Sequence, residues 1–103
     1  MRGVNADRVS LDTITERDWQ RTVVEYAHLR RWRTYHTHDS RRSDPGFPDL
    51  VLVRDRIVLA ELKSERGRMT KDQWAWHDQL LTAGVEVHLW RPSDWEQVRE
   101  VLQ

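Results

Sequence analysis

The chain has no cysteine. Disulfides, iron–sulfur clusters and Cys-ligated zinc are therefore excluded. It has no apolar run near the ~18 residues a membrane helix needs. Arg2 is not followed by an apolar segment, so no secretory signal is expected and the cytoplasm is the expected location. Internal repeats, linkers and low-complexity stretches are also missing. Neither sign of charge is in excess: 17 Lys+Arg meet 17 Asp+Glu. What is present, 38% apolar and 33% charged residues in 103, suits one soluble domain with a small core, for which a partner subunit would help.

Residues 1–12 lack periodicity, and residues 1–14 are expected to form an arm ahead of a single domain over 15–103. Thr15 is a good N-cap, and Glu16 and Asp18 in the first turn suit the helix dipole. Trp19, Val23, Tyr26 and Arg30 continue at helical spacing, predicting a helix over 15–31. Arg33 to His38 alternates and is rich in β-formers. Asp44-Pro45-Gly46 and Pro48 mark a loop. Two apolar runs, Leu50–Val53 and Ile57–Leu62, flank Arg54-Asp55-Arg56 and predict a hairpin covered on both faces. Thr70-Lys71-Asp72-Gln73 matches a capping box, and its helix is expected to bury Trp76, His77 and Leu80. Gly84 would end that helix, Val85–Trp90 would be a strand, and Trp95, Val98 and Leu102 stripe a last helix. The expected fold is α/β, a mixed central sheet flanked by helices in the order α-β-β-β-α-β-α.

If the hairpin turns at Asp55, partners sum to 110 and Asp49 faces Glu61, their Cβ atoms roughly 4.5–5.5 Å apart. Lys63 projects from the same face. A shift of two residues would separate the carboxylates. Two such acids repel each other, and apolar surroundings make each charge costlier. A hard divalent cation such as Mg²⁺ relieves both problems and activates water beside a phosphoryl group. A lysine there would position that water or share the charge of the phosphate. Against this stands the plain alternative of salt bridges at a strand end.

Gly46-Phe47-Pro48-Asp49, Glu61-Leu62-Lys63, the basic turn Arg66-Gly67-Arg68-Met69-Thr70 and Gln73, in this element order, resemble the VRR-NUC domain family of the PD-(D/E)xK nuclease superfamily, and more narrowly its small stand-alone phage and bacterial members. The resemblance spans about residues 15–91 and implies a restriction-endonuclease-like core. It implies Asp49, Glu61 and the Leu62 backbone carbonyl as ligands of Mg²⁺ or Mn²⁺. It implies Lys63 as the catalytic lysine, Gln73 as a supporting residue and Glu16 as an outer ligand. Two of these residues also suit their places without any catalytic role: Gln73 completes a capping box, and Glu16 is favourable at a helix N-terminus. The activity implied is endonucleolytic cleavage of DNA, duplex or branched such as a four-way (Holliday) junction, by a homodimer, in a bacterial or phage-infected cell. The alternative is a nuclease fold kept for DNA binding or partner assembly.

His36 and His38 share a strand face at i, i+2, for which phosphate contact or partial burial is a simpler role than zinc. Trp19, Trp76 and Trp95 fall on apolar stripes. Trp32 and Trp74 fall off them, as edge-packed residues, dimer contacts or base-stacking platforms.

The zero net charge hides a segregation. Arg30 to Arg42 holds five arginines against Asp39, and 54–71 holds six basic residues against three acids. Residues 73–103 hold two basic residues and five acids. Arg30, Arg31, Arg33, Arg41, Arg42, Arg66, Arg68 and Lys71 are thus expected to hold a phosphate backbone beside the carboxylates.

Overall fold

The computed structural model describes residues 11–37 and 44–103. His38, Arg41, Arg42 and most of the expected N-terminal arm lie outside them. The elements are α1 (Glu16–Leu29), β1 (Arg33–His36), β2 (Leu50–Val53), β3 (Ile57–Leu62), α2 (Lys71–Thr82), β4 (Val87–Trp90), a 3₁₀ turn (Pro92–Asp94) and α3 (Trp95–Leu102). This is the expected order. The sheet runs β1-β2-β3-β4. The first three strands are antiparallel and β4 lies parallel to β3, so the sheet is mixed.

Thr15 caps α1, its side chain accepting from the Asp18 N–H. The helix ends in a Schellman turn: Arg31 N–H donates to the His28 carbonyl and Trp32 N–H to the Ala27 carbonyl. Arg31 stands at the left-handed position, φ 71°, where glycine is the usual residue. That turn sends Trp32 into the core, 2% exposed. Its indole donates to the Leu102 carbonyl at 2.8 Å, and Arg54 covers its ring at 4.4 Å. Burial removes Trp32 as a base-stacking platform.

Leu50, Leu52, Val58, Ala60, Leu62 and Trp90 point to one face of the sheet. There they meet Trp19, Val23 and Ala27 of α1 and Val98 and Leu102 of α3. Burying side chains of this size stabilises by about 1.5–3 kcal/mol each. The Trp19 indole also donates to the Trp90 carbonyl, at 3.0 Å.

The opposite face is covered less than expected. α2 crosses it above β3 and β4, where Leu59, Glu61 and Val87 are buried. Over β1 and β2 nothing comparable lies among the described residues, and Tyr35, Val53 and Ile57 are 66%, 39% and 58% exposed. β2 is therefore fully covered on one face only. α2 itself buries no residue completely. Trp76 and His77 are half-buried, and Trp76 packs edge-on to Phe47 at 5.1 Å. A short helix lying over half a sheet has too little facing surface to bury a full stripe.

Candidate active site

The hairpin has the register that sequence arithmetic requires. Leu50 pairs with Ala60, Val51 with Leu59 and Val53 with Ile57, and Arg54 N–H closes the turn on the Arg56 carbonyl. One step beyond Leu50 and Ala60, the same ladder sets Asp49 against Glu61. Both alternate with core-facing neighbours and so project from the α2 face. Asp49 also reaches across, its Oδ2 accepting from the Leu62 N–H at 3.2 Å.

Gly46 positions this strand entry. Its φ is 98°, and a Cβ there would stand 2.5 Å from the carbonyl carbon and oxygen of Asp72. Only glycine lets the 46–49 turn lie this close to the first turn of α2. The same turn of α2 is fixed by its capping box. Thr70 Oγ1 accepts from the Gln73 N–H at 3.1 Å, and Gln73 Oε1 accepts from the Thr70 N–H at 2.8 Å. The other end of that amide, Nε2, donates to Glu61 Oε2 at 3.0 Å. One side chain thus both completes the cap of α2 and donates to Glu61.

Glu61 is 2% exposed and Lys63 8%. Lys63 Nζ lies 3.5 Å from Glu61 Oε2. That oxygen thus has one hydrogen-bond donor, Gln73, and one ion-pair partner, whereas Oε1 is buried with no hydrogen-bond partner among the described residues. Burial first, and the negative charge of Asp49 second, push the Glu61 carboxyl up to about 8, although Lys63 pulls the other way. Glu16 reaches the same end of the sheet from α1. Desolvation raises its carboxyl above the ordinary value, with Lys63 and Asp49 both acting on it.

This donor set fits a hard cation. Two acids share this end of the sheet with one ammonium, and one buried carboxyl oxygen lacks a partner among the described residues, so the local positive charge falls short of what both acids ionised would need. Among the described residues no three His, Cys, Asp or Glu side chains enclose a metal alone.

A family model, the VRR-NUC domain, matches residues 2–94. The chain belongs to this family. Neither the curated proteins nor the solved structures give a significant match. Membership makes this VRR-NUC chain a nuclease-fold domain of a DNA-related family. The four-stranded mixed sheet with flanking helices accords with a restriction-endonuclease-like core. No helix among the described residues is long and apolar enough to cross a membrane.

The basic residues divide. Arg66, Arg68 and Lys71 follow Lys63 directly and are exposed beside the carboxylates, Arg66 pairing with Asp12 at 3.1 Å. Arg33 pairs with Val53, at the hairpin-turn end of the sheet. Arg30 and Arg31 lie there too, the Arg30 carbonyl accepting from Arg54 at 2.9 Å. Arg30, Arg31 and Arg33 therefore do not flank the site. An antiparallel strand carries them about 10 Å or more from it, at 3.3 Å per residue. Arg54 and Arg56 are occupied at the same pole, on the carbonyls of Leu102, Gln103 and Val101 and on Glu86.

Sequence patterns gave no sign of one contributor. Arg91 Nη1 donates to the carbonyls of Ser64 and Gly67 at 2.8 and 2.6 Å, holding the turn that leaves Lys63. Parallel pairing of Leu62 with Trp90 puts Arg91 beside that turn. No tight turn announces a parallel register, so no local signal marked it.

Proposed function

We propose that this VRR-NUC domain is a Mg²⁺- or Mn²⁺-dependent endonuclease of DNA, selective for branched structures such as four-way junctions. The observation that carries the reading is buried Glu61 set against half-buried Asp49, with Lys63 3.5 Å from Glu61 and one Glu61 oxygen left without a partner among the described residues. Asp49, Glu61 and the Leu62 backbone carbonyl would hold the cation, with Glu16 at its periphery. Bound there, a divalent cation supplies charge neutralisation and Lewis acidity toward water and phosphoryl oxygens.

The protein's own groups do the rest. Gln73 fixes Glu61 through Oε2, so that Oε1 stays available in one orientation. Asp49 is fixed by the Leu62 N–H. Lys63 is an ammonium held in a nearly dry place, able to orient the attacking water or to donate to a non-bridging phosphate oxygen as charge builds there. Arg66, Arg68 and Lys71 hold the backbone without reading sequence. The uncovered apolar residues Tyr35, Val53 and Ile57 favour a second copy of the chain as partner. A two-fold dimer would offer two sites to two strands.

The test is incubation of purified protein with linear duplex, single-stranded DNA and a four-way junction in Mg²⁺, Mn²⁺ or EDTA, beside Lys63→Ala and Asp49→Asn. Metal-dependent cleavage, strongest on the junction and lost in both variants, is expected. Salt-sensitive binding without cleavage would instead establish a non-catalytic DNA-binding module.

A further inference from the structure

A groove of about 430 Å³ lies between the first half of α1 and the edge strand β1, lined by Arg17, Gln20, Arg21, Val24 and His36. Its position follows from two registers. Gln20 stands one helical turn after Glu16, on the same face of α1, and Glu16 is within electrostatic reach of Lys63 and Asp49. On the other wall, His36 pairs with Leu50, the residue after Asp49. The groove therefore opens at the carboxylate end of the sheet and leads away from it.

Its chemistry is that of an anion site. Among the described residues, two guanidinium groups, an imidazole and an amide line it, with one aliphatic side chain and no carboxylate. Asp18 does hold Arg21 at 2.5 Å, but both side chains are more than half exposed, 61% and 57%. Such a solvated pair contributes little and exchanges readily for a better partner. A phosphate is that partner, because the guanidinium fork matches it bidentately.

We propose that this groove seats a backbone phosphate of the bound nucleic acid, next along from the scissile phosphate at Asp49 and Glu61. Arg17 and Arg21 grip the phosphate, Gln20 donates to it, and Val24 gives the sugar an apolar floor. The seat fixes the strand's register over the carboxylates and carries no base information. This proposal rests on the nuclease reading of the neighbouring site.

The test uses the full chain and the double variant Arg17→Gln/Arg21→Gln, both positions being exposed helix residues. Duplex and junction affinity are measured against salt in Ca²⁺, and cleavage is measured in Mn²⁺ on DNA and on thymidine 5′-(p-nitrophenyl phosphate), which has no neighbouring phosphate. Losing this one phosphate contact lowers the magnitude of the log–log salt slope by about 1. DNA cleavage is expected to fall at least tenfold more than ester hydrolysis. An unchanged slope and affinity overturn the groove. If the wild type hydrolyses neither substrate while the slope still falls, the nuclease reading fails and the phosphate seat stands. Equal losses on DNA and ester overturn the seat and leave the nuclease reading intact.

Discussion

Replacing Glu61 by glutamine should stabilise the metal-free protein, and the gain should depend on pH in a defined direction. Burial and Asp49 raise the Glu61 carboxyl from 4.5 to about 8. A raised acid binds its proton more tightly in the native state than in the unfolded chain. Between those two values the native state holds the extra proton, so stability falls as pH rises. Below about 4.5 nothing is lost, and above about 8 the loss is complete. At 1.36 kcal/mol per unit, the cost at pH 7 is at most about 3 kcal/mol. Glutamine keeps the shape, and its carbonyl can still accept from Gln73, but it carries no charge to desolvate.

The assay is thermal and denaturant unfolding in EDTA at pH 5, 6, 7 and 8. The two proteins should lie within about 1 kcal/mol at pH 5, Glu61→Gln should lead by about 2–3 kcal/mol at pH 7, and the lead should still grow towards pH 8. For a domain of this size that corresponds to about 10 °C or more. Glu86 and Asp55, whose carboxyls are held low chiefly by their hydrogen bonds to Arg56 and Arg54 respectively, give the opposite trend below about pH 4.5. They are present in both proteins and cancel in the difference, as does the raised Glu16. Saturating Mn²⁺ should then close most of the gap at pH 7. At a hundredfold excess over its Kd the cation adds about 2.7 kcal/mol to the wild type and much less to the variant. A variant no more stable than wild type at pH 8, or a gap that does not change with pH, would refute the account of Glu61.

Gly46→Ala should cost about 2–5 kcal/mol in denaturant unfolding. It combines a positive φ with a Cβ 2.5 Å from the Asp72 backbone, and DNA cleavage should fall because α2 and Gln73 shift. Gln73→Ala should lose about 1 kcal/mol of cap at every pH. Gln73→Glu keeps the cap acceptor but sets an anion against Glu61, so its deficit should appear only as pH rises from 5 to 8. Arg91→Met leaves the Ser64 and Gly67 carbonyls without their donor. It should cost about 2–3 kcal/mol and raise backbone amide exchange across 64–67. Arg31→Gly should stabilise by up to about 1 kcal/mol, since it relieves a φ of 71° at a helix C′ position.

Legibility in the sequence followed the range of the physics. Helix starts were readable because caps act over three residues, as at Thr15 and Thr70. The Asp49–Glu61 juxtaposition was readable because a short turn leaves an antiparallel hairpin few registers. The parallel pairing of β3 with β4 depends on a whole crossover, so the service of Arg91 to the turn after Lys63 was hidden. Charge clustering misled for a related reason. Arg30, Arg31 and Arg33 lie near the site segments in sequence, but an antiparallel strand returns them to the opposite pole. Partial cover by α2 was hidden as well, since the alternation in β2 and β3 shows which side chains share a face and not how far a twelve-residue helix extends over them.

Among the described residues three buried polar atoms lack a hydrogen-bond partner, His77 Nδ1, the Trp90 indole nitrogen and Glu61 Oε1, and only the last belongs to an acid. Trp19 and Trp32 each find a carbonyl for their buried indoles, and Arg54 and Arg91 spend their guanidinium groups on chain carbonyls. At Glu61 the chain instead buries a carboxyl group beside another, gives one oxygen a donor in Gln73 and an ion pair with Lys63, and gives the other no partner among the described residues. A role confined to structure would be served better by glutamine at that position, at lower cost and over a wider pH range. What glutamine cannot do is present a negative oxygen, fixed in direction and shielded from water, to a cation and a phosphodiester. The unfolding difference between Glu61 and its glutamine variant reads the cost of that buried acid directly, and its response to added Mn²⁺ tests the proposed cation site without requiring a substrate.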